Sequence, residues 1–478
     1  MNAPFGVVEF LHVAYVITGA YLLLLGIYAL GMLVVAMRES RYRQRQEEVE
    51  DYDTVLASRY TIPVTIIAPA FNEADMVVPA IQSLLTQTYP EFEVIAVDDG
   101  STDDTLAALK QAYDLEPRQM FFKNVLETKP VRMVYRSRKE PRLTVVAKEN
   151  GGKADALNCG VNFARYRYLA CVDGDTVFAP DAILRGMALI SKDPGTIVGA
   201  ASLFGVSVEP EKTVTTWGAP TTNGHLLGDF QHLDMMRAFV AYRQAWSQLD
   251  CMMCVSGGFG LWRRDVILEV GGFSPEFSCE DIEMTFRVHE RYLREKRPYR
   301  IISLPSMVAN TEGPKRIGGL VSQRARWQRV VLETIWEYAR MIFNPRYKAV
   351  GLLGLPYYLL FEGLAPLFQL LSVVALVVAI VFGLLGWPIY LALFGLMMFA
   401  TAIPTTVAVL LHDAAYRDYK VRDLIRMMAL GPLDLLLYRP ILMWAGLRGT
   451  WQFLRKEKGW DKFERNQREA QPVAAYAS

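Results

Sequence analysis

Tyr168-Leu169-Ala170-Cys171-Val172-Asp173-Gly174-Asp175 is an apolar run that ends in two carboxylates separated by one glycine. Such a run suits a buried strand, and in open α/β sheets ligands bind beyond the carboxyl ends of the strands. Gly174 lets the backbone come close to whatever sits there. Two carboxylates with no histidine or cysteine beside them suit a hard cation, Mg2+ or Mn2+. Such an ion normally shares its shell with phosphate oxygens. A surface turn is the plainer reading of Asp-Gly, so the flanking sequence has to decide.

Upstream, strand and helix signals alternate. Ile62 to Ala68 is a β-branched run, and Asp75 to Gln87 places Val78, Ile81, Leu84 and Leu85 on one helical face. Glu93 to Val97 is a second strand, closed by Asp98-Asp99-Gly100-Ser101-Thr102-Asp103-Asp104. Asp103 or Ser101 can cap the helix that follows. Val131 to Tyr135 and Leu143 to Ala147 are short strands, and Lys153 to Ala164 is helical. This alternation predicts a mostly parallel, doubly wound sheet. The acids at 98, 99, 173 and 175 then share one edge. Lys148-Glu149-Asn150-Gly151-Gly152-Lys153 opens a helix with two glycines and a lysine, where backbone N–H groups and the helix dipole favour an anion. The spacing is not that of a Walker loop. Val255 to Gly260 reads as a strand with close-approach glycines, Gly271-Gly272-Phe273 as a turn, and Ser278-Cys279-Glu280-Asp281 as the start of a helix reaching about Leu293.

The 478 residues are 52% hydrophobic, and the apolar ones are concentrated at the two ends. A net charge of +1 carries no sign of a nucleic-acid binder. The five cysteines include one Cys251-x-x-Cys254 without a second pair, which argues against zinc and for reduced thiols in a cytosolic domain. Val7 to Met37 is long enough to cross a bilayer, and Arg38, Arg41, Arg43 and Arg45 after it place the following residues in the cytosol. Gln46 to Arg59 reads as a linker. From Lys315 a basic amphipathic stretch suits a membrane surface. Val350 to Leu411 is apolar: an interfacial or re-entrant piece near 350–362, then spans near 364–386 and 388–411. Ala429 to Leu447 carries Asp434 and Arg439, which inside a membrane would face a polar cavity. The basic tail from Arg448 should be cytosolic.

Together, Asp98-Asp99-Gly100-Ser101, Asp173-Gly174-Asp175, Glu280-Asp281 and Gln323-x-x-Arg326-Trp327 resemble, in that order, the motifs of membrane-embedded family-2 glycosyltransferases. These include the cellulose, chitin, hyaluronan and poly-N-acetylglucosamine synthases. The likeness runs from about Ile62 to Trp327. It implies an α/β, Rossmann-like GT-A domain over 59–314, after an N-terminal span and linker (1–58). Interfacial helices (315–349), a transmembrane region (350–447) and a tail (448–478) would follow. It implies that Glu73 with Asp98 or Asp99 holds the nucleoside of a nucleotide sugar, and that Lys153 and Arg326 face the diphosphate. Asp173 would touch the nucleotide and, with Asp175, the Mg2+ or Mn2+. Asp281 corresponds to the general base beside Glu280, while Gly257, Gln323 and Trp327 belong to the acceptor side. An α-linked donor would then yield a β-glycoside.

The sequence departs from the family in places. Cys279 replaces a threonine found in several members, and Ser256-Gly257-Gly258 lacks the Phe-Phe-Cys-Gly-Ser run of cellulose synthase. No cyclic-dinucleotide domain is recognisable after the membrane region. Trp460 sits in a faintly gating-loop-like tail. Three readings stand: a processive synthase passing its polymer through the bacterial inner membrane, with accessory export subunits as possible partners; a transferase adding one sugar to a lipid; and a catalytically dead scaffold, which intact acids at 173, 175 and 281 disfavour.

Overall fold

The computed structural model describes residues 4–47, 61–173, 176–207, 225–384, 386–416 and 419–457, with Tyr52, Leu56 and Ser58 between the first two segments. Gly174, Asp175 and the tail around Trp460 lie outside the described residues, as does most of the expected 46–59 linker. The chain opens with α1 (Phe5–Glu47), then β1 (Val64–Ala70), α2 (Val77–Leu85), β2 (Phe92–Asp98), α3 (Thr105–Tyr113), β3 (Leu115–Pro117), β4 (Val131–Ser137) and β5 (Leu143–Lys148). There follow α4 (Lys153–Phe163), β6 (Tyr168–Val172), β7 (Val177–Phe178), α5 (Ala182–Ser191) and β8 (Ile197–Ser207). Next come α6 (Leu226–Met236), a π-helical stretch Arg237–Arg243, α7 (Gln244–Gln248), β9 (Phe259–Arg263), α8 (Arg264–Glu269), α9 (Glu280–Arg294) and β10 (Arg300–Glu312). The C-terminal part contains α10 (Ile317–Glu337), an irregular helical run over 350–363, α11 (Ala365–Val381), α12 (Trp387–Tyr416), α13 (Val421–Leu437) and α14 (Arg439–Leu454).

One ten-stranded sheet runs β3-β4-β5-β2-β1-β6-β9-β8-β10-β7. Its heart, β5-β2-β1-β6, is parallel, as the alternating pattern predicts. Every residue of β1 is buried. Val64, Ile66 and Ala68 join the core layer of α2, while Ile67 joins the layer of α4 on the other face, the period-two consequence of the pleat. Outside that heart the sheet departs from expectation, because β4, β9 and β7 pair antiparallel. For β4 the cause is the short link to β5, only residues 138–142, too few for the crossover a parallel pair needs. The predicted strand at Val255 also begins later, at Phe259, leaving 255–258 as a loop.

Phe5–Glu39 of α1 is a helix long and apolar enough to cross a membrane. The run 350–363 and α11 pass the same test together, bent by 44° at their junction. Tyr21 of α1 stacks on Phe368 of α11, with ring centroids 4.2 Å apart, and Tyr28 stacks on Tyr357 at 4.8 Å. The apolar stretch 429–447 belongs to two helices, α13 and α14, which meet at Tyr438. α14 lies hard against α10: a Cβ on Gly449 would stand 2.3 Å from the Ala325 carbonyl oxygen.

Candidate functional site

The carboxyl ends of β1, β2, β5 and β6 open onto a cavity of about 3200 Å3. Its walls include Glu73, Asp99, Lys153, Asp173, Gly257, Glu280, Asp281, Gln323, Arg326 and Trp327. The structure thus brings together ten site residues expected from the sequence. Asp98, 4% exposed, sits behind them at the end of β2 and accepts the Ser101 N–H. Burial raises the pKa of its carboxyl, with the Ser101 hydrogen bonds opposing.

The loop after β1 is built by capping groups from the loop after β2. Asn72 takes φ +53°, and its N–H donates to Ser101 Oγ at 3.1 Å. Thr102 N–H returns a bond to Asn72 Oδ1 at 2.8 Å, and Glu73 N–H donates to Thr105 Oγ1 at 2.8 Å. Gly100 takes φ +70°, and a Cβ there would stand 2.7 Å from the backbone nitrogen of Asn150, so a side chain would be both strained and obstructed. The N-cap of α3 is Asp104, not Asp103 or Ser101, and it makes no side-chain capping bond; Asp103, one residue earlier, accepts the Thr105 N–H at 3.0 Å.

The glycine loop before α4 departs from the simple anion-cradle reading. Its N–H groups do meet an anion, but that anion is Asp99: Gly151 N–H donates to Oδ1 at 3.0 Å and Gly152 N–H to Oδ2 at 2.7 Å. Lys148, wholly buried, places its ammonium 2.6 Å from Asp99 Oδ1 and 2.6 Å from Asp155 Oδ1. One cation thereby ties the loop after β2 to the first turn of α4. Burial disfavours that ammonium, but Asp155 and Asp99 outweigh it and raise its pKa.

Lys153, the first residue of α4, bridges two distant elements. Its Nζ lies 2.5 Å from Asp173 Oδ1, just past β6, and 2.8 Å from Glu280 Oε1, at the start of α9. Asp281 follows on the same turn. Its Oδ2 accepts the Gly257 N–H at 2.9 Å and its Oδ1 the N–H of Ile282 at 2.7 Å. The loop 255–258 thus delivers a backbone donor to this carboxylate. A Cβ on Gly257 would stand 2.6 Å from Lys153 Nζ, so a side chain there would have to displace that ammonium. Burial and then Glu280 raise the pKa of Asp281, with Lys153 and the two N–H groups opposing. For Lys153 burial works against the charge, yet Asp173, Glu280 and Asp281 hold its pKa well above the ordinary value. A carboxylate of raised proton affinity beside fixed cations can take a proton from a hydroxyl. Among the described residues no three His, Cys, Asp or Glu side chains gather as a metal cluster. Asp173, one-third exposed in the cavity, supplies the hard oxygen chemistry that Mg2+ or Mn2+ takes.

Farther in, α10 carries the Gln323-x-x-Arg326-Trp327 element along the cavity wall. The Arg324 guanidinium covers one face of the Trp327 indole at 4.2 Å. Sequence reasoning missed what lies beyond. Arg237 contacts Asp434 at 2.7 Å and Asp234 at 3.1 Å, Arg324 contacts Asp234 at 3.0 Å, and Arg439 contacts Asp434 at 2.9 Å. Asp434 is buried and paired, and Arg439 lines the cavity. This collar joins α6, α10, α13 and α14. Its only sequence signal was a pair of charges in an apolar run. The cysteines are free thiols, and Cys251 and Cys254 are buried without a second pair beside them.

Two family profiles match the chain: glycosyl transferase family 2 over residues 65–265 and glycosyl transferase family group 2 over residues 168–407. Among curated proteins, a poly-β-1,6-N-acetyl-D-glucosamine synthase of Staphylococcus epidermidis is 26% identical over 279 residues, 57% of this chain and 56% of that one. Its namesake from Staphylococcus aureus strain MSSA476 is 24% identical over 266 residues, 55% of this chain and 53% of that one. The match therefore spans little more than half the length of these relatives. Among solved structures, a mannosyltransferase from Pyrobaculum calidifontis, in complex with GDP-Man and Mn2+, aligns with a TM-score of 0.53. It is 17% identical, over 90% of this chain and 99% of that one, a likeness that speaks for the fold alone.

Proposed function

The chain belongs to glycosyl transferase family 2, and from that premise we propose that it is an inverting enzyme extending a β-linked polysaccharide at a membrane. Its donor is a nucleotide sugar, UDP-linked. The observation that carries this reading is the Lys153 bridge, which draws Asp173 and Glu280 to one ammonium at 2.5 and 2.8 Å and sets Asp281 beside them. Glu73 and the Asp98–Asp99 loop bind the nucleoside. Gly257, Gln323 and Trp327 receive the acceptor. Asp281 takes the proton of an acceptor hydroxyl as its oxygen bonds to the anomeric carbon. The bond from that carbon to the diphosphate breaks, and Lys153 and Arg326 neutralise the leaving charge. A positioned base contributes roughly 10²–10⁴-fold to such a step. Entry opposite to the leaving group inverts the centre. Asp173 and Asp175 would hold Mg2+ or Mn2+, which would supply further charge neutralisation at the diphosphate.

In this reading residues 59–314 form the cytosolic transferase domain, 315–349 the interfacial helices and 350–447, with α1, the membrane part. The enzyme sits in the bacterial plasma membrane with accessory export subunits as partners. One observation favours a second reading, transfer of a single sugar to a membrane lipid: the inner end of the cavity is walled by aliphatic side chains such as Val373, Leu376 and Leu391. Purified full-length protein in detergent, given radiolabelled UDP-sugars and Mn2+, should make a high-molecular-weight product. A single glycolipid spot would select the second reading, and no transfer from any nucleotide sugar would overturn both.

A further inference from the structure

Val255, Ser256, Gly257 and Gly258 form a strip between α7 and β9, the last three in the cavity wall. Each of the four is tied to a different residue outside the strip. Val255 N–H donates to Thr285 Oγ1 at 3.0 Å, and that hydroxyl donates on to the Asp281 carbonyl at 2.8 Å. Ser256 Oγ accepts from a guanidinium nitrogen of Arg243 at 3.2 Å. Gly257 N–H donates to Asp281 Oδ2 at 2.9 Å, and the Gly258 carbonyl accepts the Asp173 N–H at 3.4 Å. The course of the strip therefore decides where the Gly257 N–H points.

Three of these attachments lead to α9 or to Asp173. The fourth comes from elsewhere: Arg243 closes the π-helical stretch Arg237–Arg243. Its guanidinium lies over the ring of Phe239 in the same stretch, 3.9 Å from the centroid. Arg237, at the other end, is held by Asp434 at 2.7 Å. A π-helical turn takes one residue more than an α-helical turn and recurs at functional sites. Among the described residues no carboxylate pairs with Arg243, so its hydrogen bond to Ser256 is not a by-product of an ion pair. Ser256 is 7% exposed and carries the only polar side chain of the strip, and a buried hydroxyl keeps to the partner it has. Two glycines follow it, and their backbone is free to take other paths. A strip this pliable beside a carboxylate needs a hold from outside, and Arg243 supplies one.

We propose that Arg243 is a positioning residue for transfer: by holding Ser256 it keeps the Gly257 N–H on Asp281, and so fixes the base toward the acceptor hydroxyl. The proposal rests on the transferase reading with Asp281 as base. Transfer is measured across pH on the full chain in detergent, with Mn2+ and a radiolabelled UDP-sugar that the native protein turns over, for Arg243→Gln, Ser256→Ala and the double variant. A hydrogen bond from a charged donor is worth roughly tenfold to a hundredfold, so each single variant should lower kcat by on the order of tenfold and leave the donor KM near native. The double variant should be no slower than the slower single one, because both act through one contact. The Gly257 N–H favours the charged form of Asp281, so its loss should move the acidic limb of the kcat profile to higher pH. Among the described residues, the ionisable groups facing Asp281 are Glu280 and Cys279 of α9, Lys153 of α4, Cys254 before the strip and Tyr358 of the 350–363 run. Ser256→Ala alters none of them and keeps the Arg243 charge. A raised donor KM with native kcat makes Arg243 a ligand of the nucleotide sugar and overturns the proposal. So does a slow Arg243→Gln beside a native Ser256→Ala, because the cation then acts without the serine. A lowered melting midpoint with an unmoved acidic limb, the mark of a merely structural contact, also overturns it. These three outcomes leave the transferase reading standing, whereas a native protein that transfers from no UDP-sugar defeats both.

Discussion

Lys148→Met keeps the length and apolar stem of the side chain and removes only its charge. In the native protein the ammonium is shielded from solvent between Asp99 and Asp155, whose side chains are 4% and 13% exposed. Breaking a buried pair by deleting one partner typically costs about 3–5 kcal/mol, because the remaining charge is left uncompensated. Asp155 keeps some access to water, and Asp99 keeps the N–H groups of Gly151 and Gly152, so the lower end of that range applies. At about 3 kcal/mol, and roughly 2–4 °C per kcal/mol for a domain of 150–250 residues, the midpoint should fall by about 6–12 °C. The pH dependence has a definite sign. Burial already raises the pKa of Asp99 despite Lys148, and the variant raises it further. An acid whose folded-state pKa exceeds its unfolded value binds more protons when folded, so stability falls as pH rises through that window. The loss should be small where the solution is acidic enough to protonate Asp99 in both proteins, and should grow as pH rises through the variant's raised pKa. Thermal scans of the detergent-solubilised protein across that range test this, and adding Asp155→Asn should recover part of the loss. A variant that melts within about 2 °C of the native protein at the higher pH would refute the reasoning, as would a pH-independent loss. Because Lys148 holds the turn that begins with Lys153, transfer should weaken along with stability.

Asp281→Asn should lower transfer by roughly 10²–10⁴-fold while calorimetry still registers nucleotide binding; undiminished turnover would remove Asp281 as the base. Glu280 is, after burial, the next cause of the raised proton affinity of Asp281. Glu280→Gln should therefore move the acidic limb of the pH–rate profile to lower pH, and an unmoved or raised limb would contradict this coupling. Gly449→Leu should drive α14 off α10, since even a Cβ would stand 2.3 Å from a backbone oxygen. The expected result is a lower melting midpoint with reduced transfer, because α10 carries Trp327, and a variant matching the native protein in both would show the contact to be dispensable.

Much of the frame was legible in the residues. The β-branched runs at Ile62, Glu93 and Leu143 became β1, β2 and β5 within two residues of expectation. The helix expected from Lys153 starts there, and the one expected to open at Ser278 starts two residues later, at Glu280. The parts that were not legible share a cause. Arg237 and Asp434 are 197 residues apart in the chain yet 2.7 Å apart in space, and no local period announces such a partner. In the sequence Lys148 stands at the start of the glycine stretch; only its complete burial shows that it must be paired. The antiparallel placement of β9 depends on how the chain returns to β6 after the π-helical stretch, which propensity does not encode.

Local chemistry in the sequence was enough to establish the alternating elements, the order of four acidic and aromatic motifs, and the apolar stretches that flank them. Those follow from periodicity and side-chain type, which a linear string carries in full. Which partners each cavity carboxylate finds was decided only in three dimensions. Asp99 and Asp281 both line the cavity, but Asp99 is tied to the buried Lys148 and the N–H groups of Gly151 and Gly152, whereas Asp281 accepts the Gly257 N–H next to Glu280, the partner of Lys153. A charge out of water must find its partners in whatever segments the fold packs against it, and that choice exists only after packing.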